Sequence, residues 1–448
     1  MRELSELASR LVEIARTAGA TDVIAEAIDA KVTQVRFSNS RIDASNWWNE
    51  KHVELFVAVG KRLMSSDVRD LERADEITRG IVAAASRSPV SKNYAGIASG
   101  RFRYGKGRVD PSLSSIDNPS SYVHDAIAGA ESEGANNVGG TFFIRRMHTG
   151  IASSGGALAE DDIVSADLSV RAFSQAEASG HAVSCTTKKA GIKARQTGER
   201  AGKLSVMARN PVLGQAGKTD LIIEPLFLGV LGHSTTNMMT ALWVEIGFSM
   251  YAKKIGKQVA SKMVTIVDDP TVESTSRRLF DHEGVPARRN TVIHKGVMKT
   301  YLHNTTTARH FKTKTTANAG PIVPSLFYAA SQPVAFHPIV LPGDWKTEEM
   351  ISETKDGLYM NNAWYTRYQN YATGEFSTIP RDAILKVENG EIVGAVKNIR
   401  VSDNMLSLWK SIDAVSRSAE EVFWWDEASP PSTLPTVRIR GMNITRSQ

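Results

Sequence analysis

Residues 22–59 read DVIAEAIDAKVTQVRFSNSRIDASNWWNEKHVELFVAV, and their pattern indicates the architecture of the first part of the chain. Apolar and β-branched residues alternate here with polar ones, and clusters of Ser, Asn and Asp interrupt the alternation. Such a pattern is typical of antiparallel strands with one buried face. It predicts a meander of four short strands, Asp22–Ala30, Val32–Phe37, Arg41–Trp47 and Lys51–Val59.

The elements around this meander indicate a repeat. A helix precedes it, with apolar residues at helical spacing from Leu4 to Ala15 and a stop at Gly19. Further on, a second predicted helix leads into residues 134–138, GANNV, which resemble residues 19–23, GATDV. Two helix–meander–helix blocks offset by 115 residues are one interpretation. Chance similarity between two α+β halves is the other.

Strand patterns become more frequent beyond residue 209. Residues 210–219, NPVLGQAGKT, have the composition of an interdomain linker. Turn residues at Lys295-Gly296 and Asn389-Gly390 predict two β-hairpins after it. We therefore predict an α+β protein with an N-terminal domain over 1–209, a linker over 210–219 and a strand-rich C-terminal domain over 220–448.

The composition limits the class of function. The 448 residues carry 54 basic and 48 acidic side chains, and a net charge of +6 is too dilute to indicate nucleic-acid binding by itself. The single cysteine, Cys185, fits a reducing compartment and excludes a cysteine-rich zinc site. The N-terminus lacks the apolar region of a signal peptide, and no stretch is long and apolar enough to span a bilayer. We expect a soluble, cytoplasmic protein.

Standard catalytic motifs are missing from the sequence, which has no phosphate-binding loop and no dinucleotide-binding glycine motif. His282 and the glutamate after it begin like an HExxH zinc motif, but Gly284 and Pro286 stop a helix there, so we interpret His282 as part of no site. His303 and His310 would share one face of a helix. No carboxylate or third ligand lies near them in the sequence, and a packing or surface role is favoured.

His233 lies in a more informative context. Residues 226–239, LFLGVLGHSTTNMM, are strongly apolar and predict a buried helix. A zinc hydrolase needs two ligands one helical turn apart and a carboxylate that acts as general base. Ser234, Asn237 and Met238 follow His233, and none of them is a usual zinc ligand or base. The residues alone therefore favour a core or helix-polar role for His233 over a ligand role.

A series of segments resembles the TldD/PmbA family, which is also called the modulator of DNA gyrase family. The segments are Gly229–Leu242, Ile255–Ser261, Val264–Pro270, Phe280–Ala287, Gly296–His303, Glu388–Ile392 and Ile412–Val415. Phe37–Ile42 is similar to an early strand pair of that family. The resemblance thus covers nearly the whole chain, and its motifs are specific in order and spacing in the second half.

The resemblance implies which branch of the family this chain belongs to. TldD-like members hold a metal with an HExxxH motif on this helix and with a distant cysteine. His233 aligns with the first histidine, but Ser234 stands at the glutamate position and Met238 at the second histidine, and no cysteine follows Cys185. The chain therefore resembles the PmbA/TldE branch, with no catalytic residue and no metal of its own.

The resemblance also implies partners. A metal-bearing TldD-like paralogue would hold the zinc, and the heterodimer would cleave unfolded peptides. Strand addition to a sheet edge would capture such peptides, because main-chain pairing selects extended segments over sequence. Homodimerisation of this chain stays open.

Two alternatives remain. One is a stand-alone peptidase whose rearranged metal site uses His233, His303 or His310. The other is a nucleic-acid-associated modulator that binds through residues 101–108, RFRYGKGR. Its candidate contacts are Arg101, Arg103, Lys106 and Arg108. A solvated loop is the favoured interpretation of this segment, since no second basic cluster reinforces it.

Overall fold

The computed structural model describes residues 3–323 and 329–446, and it confirms the predicted α+β class. The first half of the chain forms one antiparallel sheet with helices packed on one face. Its strands are β1 (Asp22–Ser38), β2 (Arg41–Val59), β3 (Arg62–Val68), β4 (Asn137–Ser153), β5 (Leu158–Gln175) and β6 (Ala178–Thr186), paired in the order β3-β2-β1-β4-β5-β6. Its helices are α1 (Glu3–Thr17), α2 (Ala74–Arg87), α3 (Pro111–Ser114), α4 (Ser120–Ser132) and α5 (Ala194–Met207).

The order helix, three strands, helix occurs twice in this half. β1 begins at Asp22 and β4 at Asn137, which is the spacing of 115 residues seen in the sequence. The two blocks meet along their first strands, because β1 and β4 pair antiparallel at the centre of the sheet. The helices of both blocks cover the same face, where they bury Val23 of β1 in one cluster and Val35 in the next.

The prediction of four short strands over residues 22–59 is wrong, since these residues form two long strands. Lys31, which stood at a predicted break, pairs with Asn49 inside the β1–β2 hairpin. The polar residues from Arg41 to Lys51 also stay in the strand, although most of their side chains are exposed. Hydrogen bonds to β1 hold them there, so local polarity marks solvent exposure and not a strand end.

The second half is a larger mixed sheet. Its strands are β7 (Val212–Leu213), β8 (Gly217–Ile223), β9 (Ile266–Asp268), β10 (Asn290–His294), β11 (Val297–Met298), β12 (Ala319–Ile322), β13 (Ser331–Pro333), β14 (Pro338–Val340), β15 (Asp356–Asn370), β16 (Glu375–Glu388), β17 (Glu391–Lys397), β18 (Ile399–Asn404), β19 (Ile412–Trp424) and β20 (Ala428–Arg446). The main path runs β11-β10-β9-β14-β20-β8-β15-β16-β17-β7. β18 pairs with β16 and β20, β19 pairs with β20, and β12 and β13 form a separate pair.

The helices of this half are α6 (Pro225–Met238), α7 (Ala241–Glu245), α8 (Thr305–His310), α9 (Thr347–Ser352) and α10 (Met405–Lys410). α6 is the longest of these, and its leucine, phenylalanine, valine and methionine side chains all belong to the large core cluster of the second half. Among the residues that the structure describes, no helix is both long and apolar enough to cross a membrane.

Both predicted hairpins are present. Lys295-Gly296 joins β10 to β11, and Asn389-Gly390 joins β16 to β17, with φ positive at all four residues. Two-residue turns of this kind favour Asn and Gly for that reason. Part of the segment predicted as a linker belongs to the sheet, because β7 pairs with β17 and β8 begins at Gly217. The domain limits themselves stay a prediction.

The face of the first sheet opposite its helices packs against the second half. Ile24 of β1, Phe56 of β2 and Ile151 of β4 form one buried cluster with Phe280 and Ile322. Alternation along β1 places Glu26 on this same face, two residues after Ile24. The contact between the halves is thus formed by apolar side chains that surround the charged Glu26.

Candidate functional site

Helix α6 carries His233. It begins at Pro225, which suits the first turn because the N–H that proline lacks would have no intrahelical partner. Side chains from Leu226 to Leu231 are buried, and the helix becomes polar only near its end. There His233 is half-buried, and its Nδ1 donates a hydrogen bond to Ser429 O at 3.0 Å. This bond leaves the lone pair of the imidazole on Nε2.

The positions next to His233 do not complete a zinc site. Ser234 is half-buried, and Met238 lies fully buried in the core. No group of three or more His, Cys, Asp or Glu ligand atoms in residues 3–323 and 329–446 includes His233. A zinc ion that activates water needs about three protein ligands and a base beside it. The residues on α6 therefore do not fit a catalytic zinc ion.

His303 and His310 do not share a helical face, contrary to the expectation from their spacing. α8 begins at Thr305 because Asn304 caps it, so His303 lies outside the helix. A carboxylate does accompany His310, since its Nδ1 donates to Glu245 Oε1 at 2.9 Å. Glu245 comes from α7, far away in the sequence. Neither histidine belongs to a group of three ligand atoms in the described part of the chain.

A cavity of about 650 Å³ lies between the two halves of the chain. Arginines and tryptophans dominate its wall, namely Arg36, Arg171, Arg381, Trp364, Trp424 and Trp425. The Arg381 guanidinium lies 4.6 Å from the ring centroid of Trp364, and that of Arg171 lies 5.5 Å from Trp424. A guanidinium cation is attracted to the face of an aromatic ring at such distances. The cavity is therefore basic and aromatic.

Two residues in the wall of this cavity have the spacing of a catalytic dyad, with Ser169 Oγ 2.8 Å from His181 Nε2. The proton positions exclude that chemistry. Asn362 Nδ2 donates to His181 Nδ1 at 2.9 Å and to Asp382 Oδ2 at 3.2 Å, so His181 carries its proton on Nε2. Burial, helped by the charge of Arg171, lowers the pKa of His181 to about 3. A ring in this state cannot accept the proton of Ser169.

The predicted nucleic-acid contacts, Arg101, Arg103, Lys106 and Arg108, are exposed. The aromatic residues between them are used in packing. Phe102 packs with Ala98 and Val285, and Tyr104 OH donates to Gly284 O at 2.7 Å. These aromatic side chains attach the loop to the second half of the chain, so the loop offers charge but no open stacking surface.

Three residues far apart in the sequence meet between the halves. His282 lies in a loop, as predicted, but its Nδ1 donates to Glu26 Oε2 at 2.6 Å, and Glu54 lies opposite Glu26 on β2. The interpretation of His282 as part of no site took no account of these carboxylates. A sequence signal did exist, because Glu26 stands between Ile24 and Ile28, and alternation turns its side chain to the buried face.

The second half of the chain identifies the class of protein. Residues 216–446 match the sequence model of the PmbA/TldA metallopeptidase C-terminal domain, and this match includes more than half of the chain. The chain therefore belongs to the PmbA/TldD metallopeptidase family, as the resemblance implied. α6 with His233 lies inside the matched region.

Curated relatives carry metalloprotease names. The chain is 30% identical over 212 residues to a metalloprotease of Methanocaldococcus jannaschii, which is 46% of this chain and 44% of that protein. It is 23% identical over 205 residues to a zinc metalloprotease TldD homologue of Saccharolobus solfataricus, with 45% of each chain covered. The chain thus spans less than half the length of these relatives.

Solved structures show the same fold along almost the entire chain. A candidate modulator of a DNA gyrase from Thermotoga maritima superposes with a TM-score of 0.86 at 22% identity, covering 98% of this chain and 99% of that one. TldE from Thermococcus kodakarensis superposes with a TM-score of 0.87 at 17% identity, covering 98% and 100%. At these identities the likeness shows the fold alone.

Proposed function

We propose that this chain is the non-catalytic subunit of a TldD/TldE-like heteromeric metallopeptidase that cleaves unfolded peptides. The catalytic zinc lies in a metal-bearing TldD-like partner, and the complex works in the cytoplasm. The set of side chains on α6 carries the proposal. His233 has a lone pair for a metal, but Ser234 is no base and Met238 is buried in the core, so this helix supplies one ligand at most.

An open strand edge supports peptide capture by this chain. β3 covers only Val53–Val59 of β2, which leaves the outer edge of β2 over residues 41–52 without a strand partner in the described part of the chain. Trp47 and Trp48 in this stretch are 76% and 42% exposed. Main-chain groups at such an edge pair with an extended peptide of almost any sequence. The edge therefore suits unfolded substrates.

An apolar patch supports a protein partner. The patch consists of Trp243, Ile246 and Phe248 at the end of α7 and in the turn after it, and we name it the α7 patch. Ile246 is 51% exposed and Phe248 50%, and Phe248 packs edge-on against Trp243. Large apolar side chains exposed together are typical of protein interfaces. We propose that the TldD-like partner covers the α7 patch; a second copy of this chain is the other candidate.

The two alternatives receive less support from the structure. A stand-alone peptidase would need His233, His303 or His310 to join further ligands, and none of them belongs to a ligand group in the described residues. A nucleic-acid modulator would need bases to stack on the loop over 101–108, whose aromatic residues are engaged in packing.

The test combines this chain with a TldD-like metalloprotease of the same organism and measures cleavage of an unstructured peptide. We expect no cleavage by this chain alone, and more by the pair than by the partner alone. His233→Ala should leave the activity of the pair unchanged, because His233 holds no catalytic metal. Phe248→Asp should weaken association, whereas Val393→Asp, an apolar residue 53% exposed on β17, is the matched control and should not.

Cleavage by the isolated chain that disappears in His233→Ala would contradict the proposal. Such a result would mean that α6 recruits further ligands and forms a metal site of its own.

A further inference from the structure

The structure assigns a divalent metal site to Glu26, Glu54 and His282, between the two halves of the chain. Carboxylate oxygens of both glutamates and a ring nitrogen of His282 lie within 4.8 Å of one another. It is the one such group of three among the residues described here. A zinc ion holds oxygen and nitrogen ligands at about 2.0–2.2 Å, so small side-chain rotations would bring all three onto one ion.

Strand pairing creates the two-carboxylate half of this site. Glu26 on β1 and Glu54 on β2 are directly opposite each other, so their side chains emerge side by side on one face. The Glu26 side chain is only 4% exposed, because Phe280 and Ile322 pack against the same face. Two carboxylates this close repel each other where water is scarce. A divalent cation removes that repulsion.

A rigid loop supplies the imidazole. The Asp281 carboxylate accepts hydrogen bonds from three backbone N–H groups: Glu283 at 3.0 Å, Val285 at 2.9 Å and Ala319 at 3.1 Å. Gly284 closes the loop with φ of +79° and has no room for a side chain, since an added Cβ would lie 2.3 Å from Ala157 Cβ. The loop therefore holds His282 in place before any ion arrives, as preorganised ligands require.

A buried histidine lies on the same face of β2 as Glu54. His52 precedes Glu54 by two residues on β2 and so lies on the same face. It is 8% exposed, and its Nδ1 has no hydrogen-bond partner among the residues that the structure describes. His52 is close enough to help lower the pKa of Glu26. His52 lies outside the group of three ligand atoms, so a water molecule would complete a tetrahedral ion.

Burial and neighbouring charges act differently on the two carboxyl groups. Burial and the neighbouring Glu26 raise the pKa of Glu54 to about 7, so this carboxyl tends to keep a proton. Burial alone would raise the pKa of Glu26 too, but His282 and Arg278 beside it hold that pKa below its usual value. A bound metal ion would compete with the proton on Glu54, because a carboxyl group must be ionised to act as a ligand.

The mixed donor set indicates the kind of ion. Imidazole suits zinc and other transition metals, while two carboxylates alone would suit magnesium or calcium. Zn²⁺ is therefore the probe, and its role here is to join β1 and β2 to the loop of the other half. This site is separate from α6 and leaves the proposed function unchanged.

The test is a calorimetric titration of the chelator-treated full chain with ZnCl₂. We expect one Zn²⁺ per chain, with affinity at least about 10-fold lower in Glu54→Gln and in His282→Gln, since losing a supporting group alone costs that much. Glu54→Gln preserves the shape of the protonated carboxyl, including its acceptor for Ile322 N at 3.2 Å, so this variant should fold. His310→Gln is the matched control, because His310 also pairs with a carboxylate but belongs to no group of three ligand atoms in the described residues.

Thermal unfolding gives the second measurement. Zn²⁺ should raise the Tm of the wild-type chain and of His310→Gln, and at the same concentration raise that of His282→Gln by less, because an ion that binds only the folded state stabilises it in proportion to its binding free energy. The absence of saturable binding, or binding that Glu54→Gln and His282→Gln leave intact, would overturn the site. Zinc that is lost in His233→Ala instead would overturn both this site and the proposed function.

Discussion

The contact between α4 and α5 depends on glycines, and Gly198→Ala tests it. Gly198 is buried in α5, and a Cβ added there would lie 1.9 Å from Ala126 O and 3.0 Å from Ala130 N of α4. Gly129 of α4 faces α5 just as closely, with an added Cβ 2.3 Å from Arg195 O. Backbone atoms cannot move aside as a side-chain tip can, so the helices must separate.

The magnitude follows from two opposing effects. Overpacking of a tight contact costs about 1–3 kcal/mol. Alanine in a helix regains about 1 kcal/mol over glycine. Because the clash at Gly198 is with backbone, the upper part of the overpacking range applies, and Gly198→Ala should lower the free energy of unfolding by about 2 kcal/mol.

The matched control lies in α2, at the corresponding end of the other block. Gly80 is exposed in the middle of that helix, and an added Cβ would meet nothing within 4 Å. Gly80→Ala should therefore raise the free energy of unfolding by about 0.5–1 kcal/mol. Urea unfolding followed by circular dichroism measures both variants as shifts of the midpoint. Equal shifts of the same sign would refute the close-packing argument.

Two further predictions concern charge. His181 has a pKa of about 3 in the folded chain against 6.5 as its ordinary value, so the unfolded chain binds the extra proton and stability falls as the pH drops below 6.5. This one group changes the free energy of unfolding by about 1.4 kcal/mol per pH unit. His181→Gln should therefore flatten the pH dependence of urea midpoints between pH 6.5 and 4. An unchanged slope would show that another group causes the pH dependence. Replacement of the basic residues of the loop over 101–108 by serine should leave DNA retention on a gel unchanged at low salt, because the loop lacks an open stacking surface; salt-sensitive binding by the wild type that is lost in the variant would revive the nucleic-acid alternative. The substituted residues are Arg101, Arg103, Lys106 and Arg108.

Local patterns predicted the parts of this structure that local forces determine. The Asn389-Gly390 turn was readable because both residues take positive φ, which few other residues tolerate. The buried helix around His233 was predictable, because a strongly apolar segment of this length is stable only when its side chains are buried in a core. The sequence alone also showed that Ser234 and Met238 stand where the family motif has a base and a ligand.

Patterns that depend on distant partners were misread or missed. Lys31 was predicted to lie at a strand end, because the sequence does not show that it pairs with Asn49 of the neighbouring strand. His282 was interpreted as part of no site, because its partner Glu26 is 256 residues away in the sequence and comes from the other half of the chain. The position of Glu26 between Ile24 and Ile28 indicated a buried face, but the sequence does not show which residues of the second half cover it.

The position of β20 determines when the second half can form. β20 pairs with β8, β14, β18 and β19, and its Val437 lies opposite Ile223 of β8, 214 residues earlier. At the usual pace of synthesis, β8 and the apolar helix α6 wait on the order of 10–40 s for that strand to leave the ribosome. In the described residues the strands of the first sheet pair with one another, so we expect this sheet to fold while the rest is being made. The nascent second half therefore keeps α6 without β20 for that time, and we expect chaperones to bind this helix during synthesis.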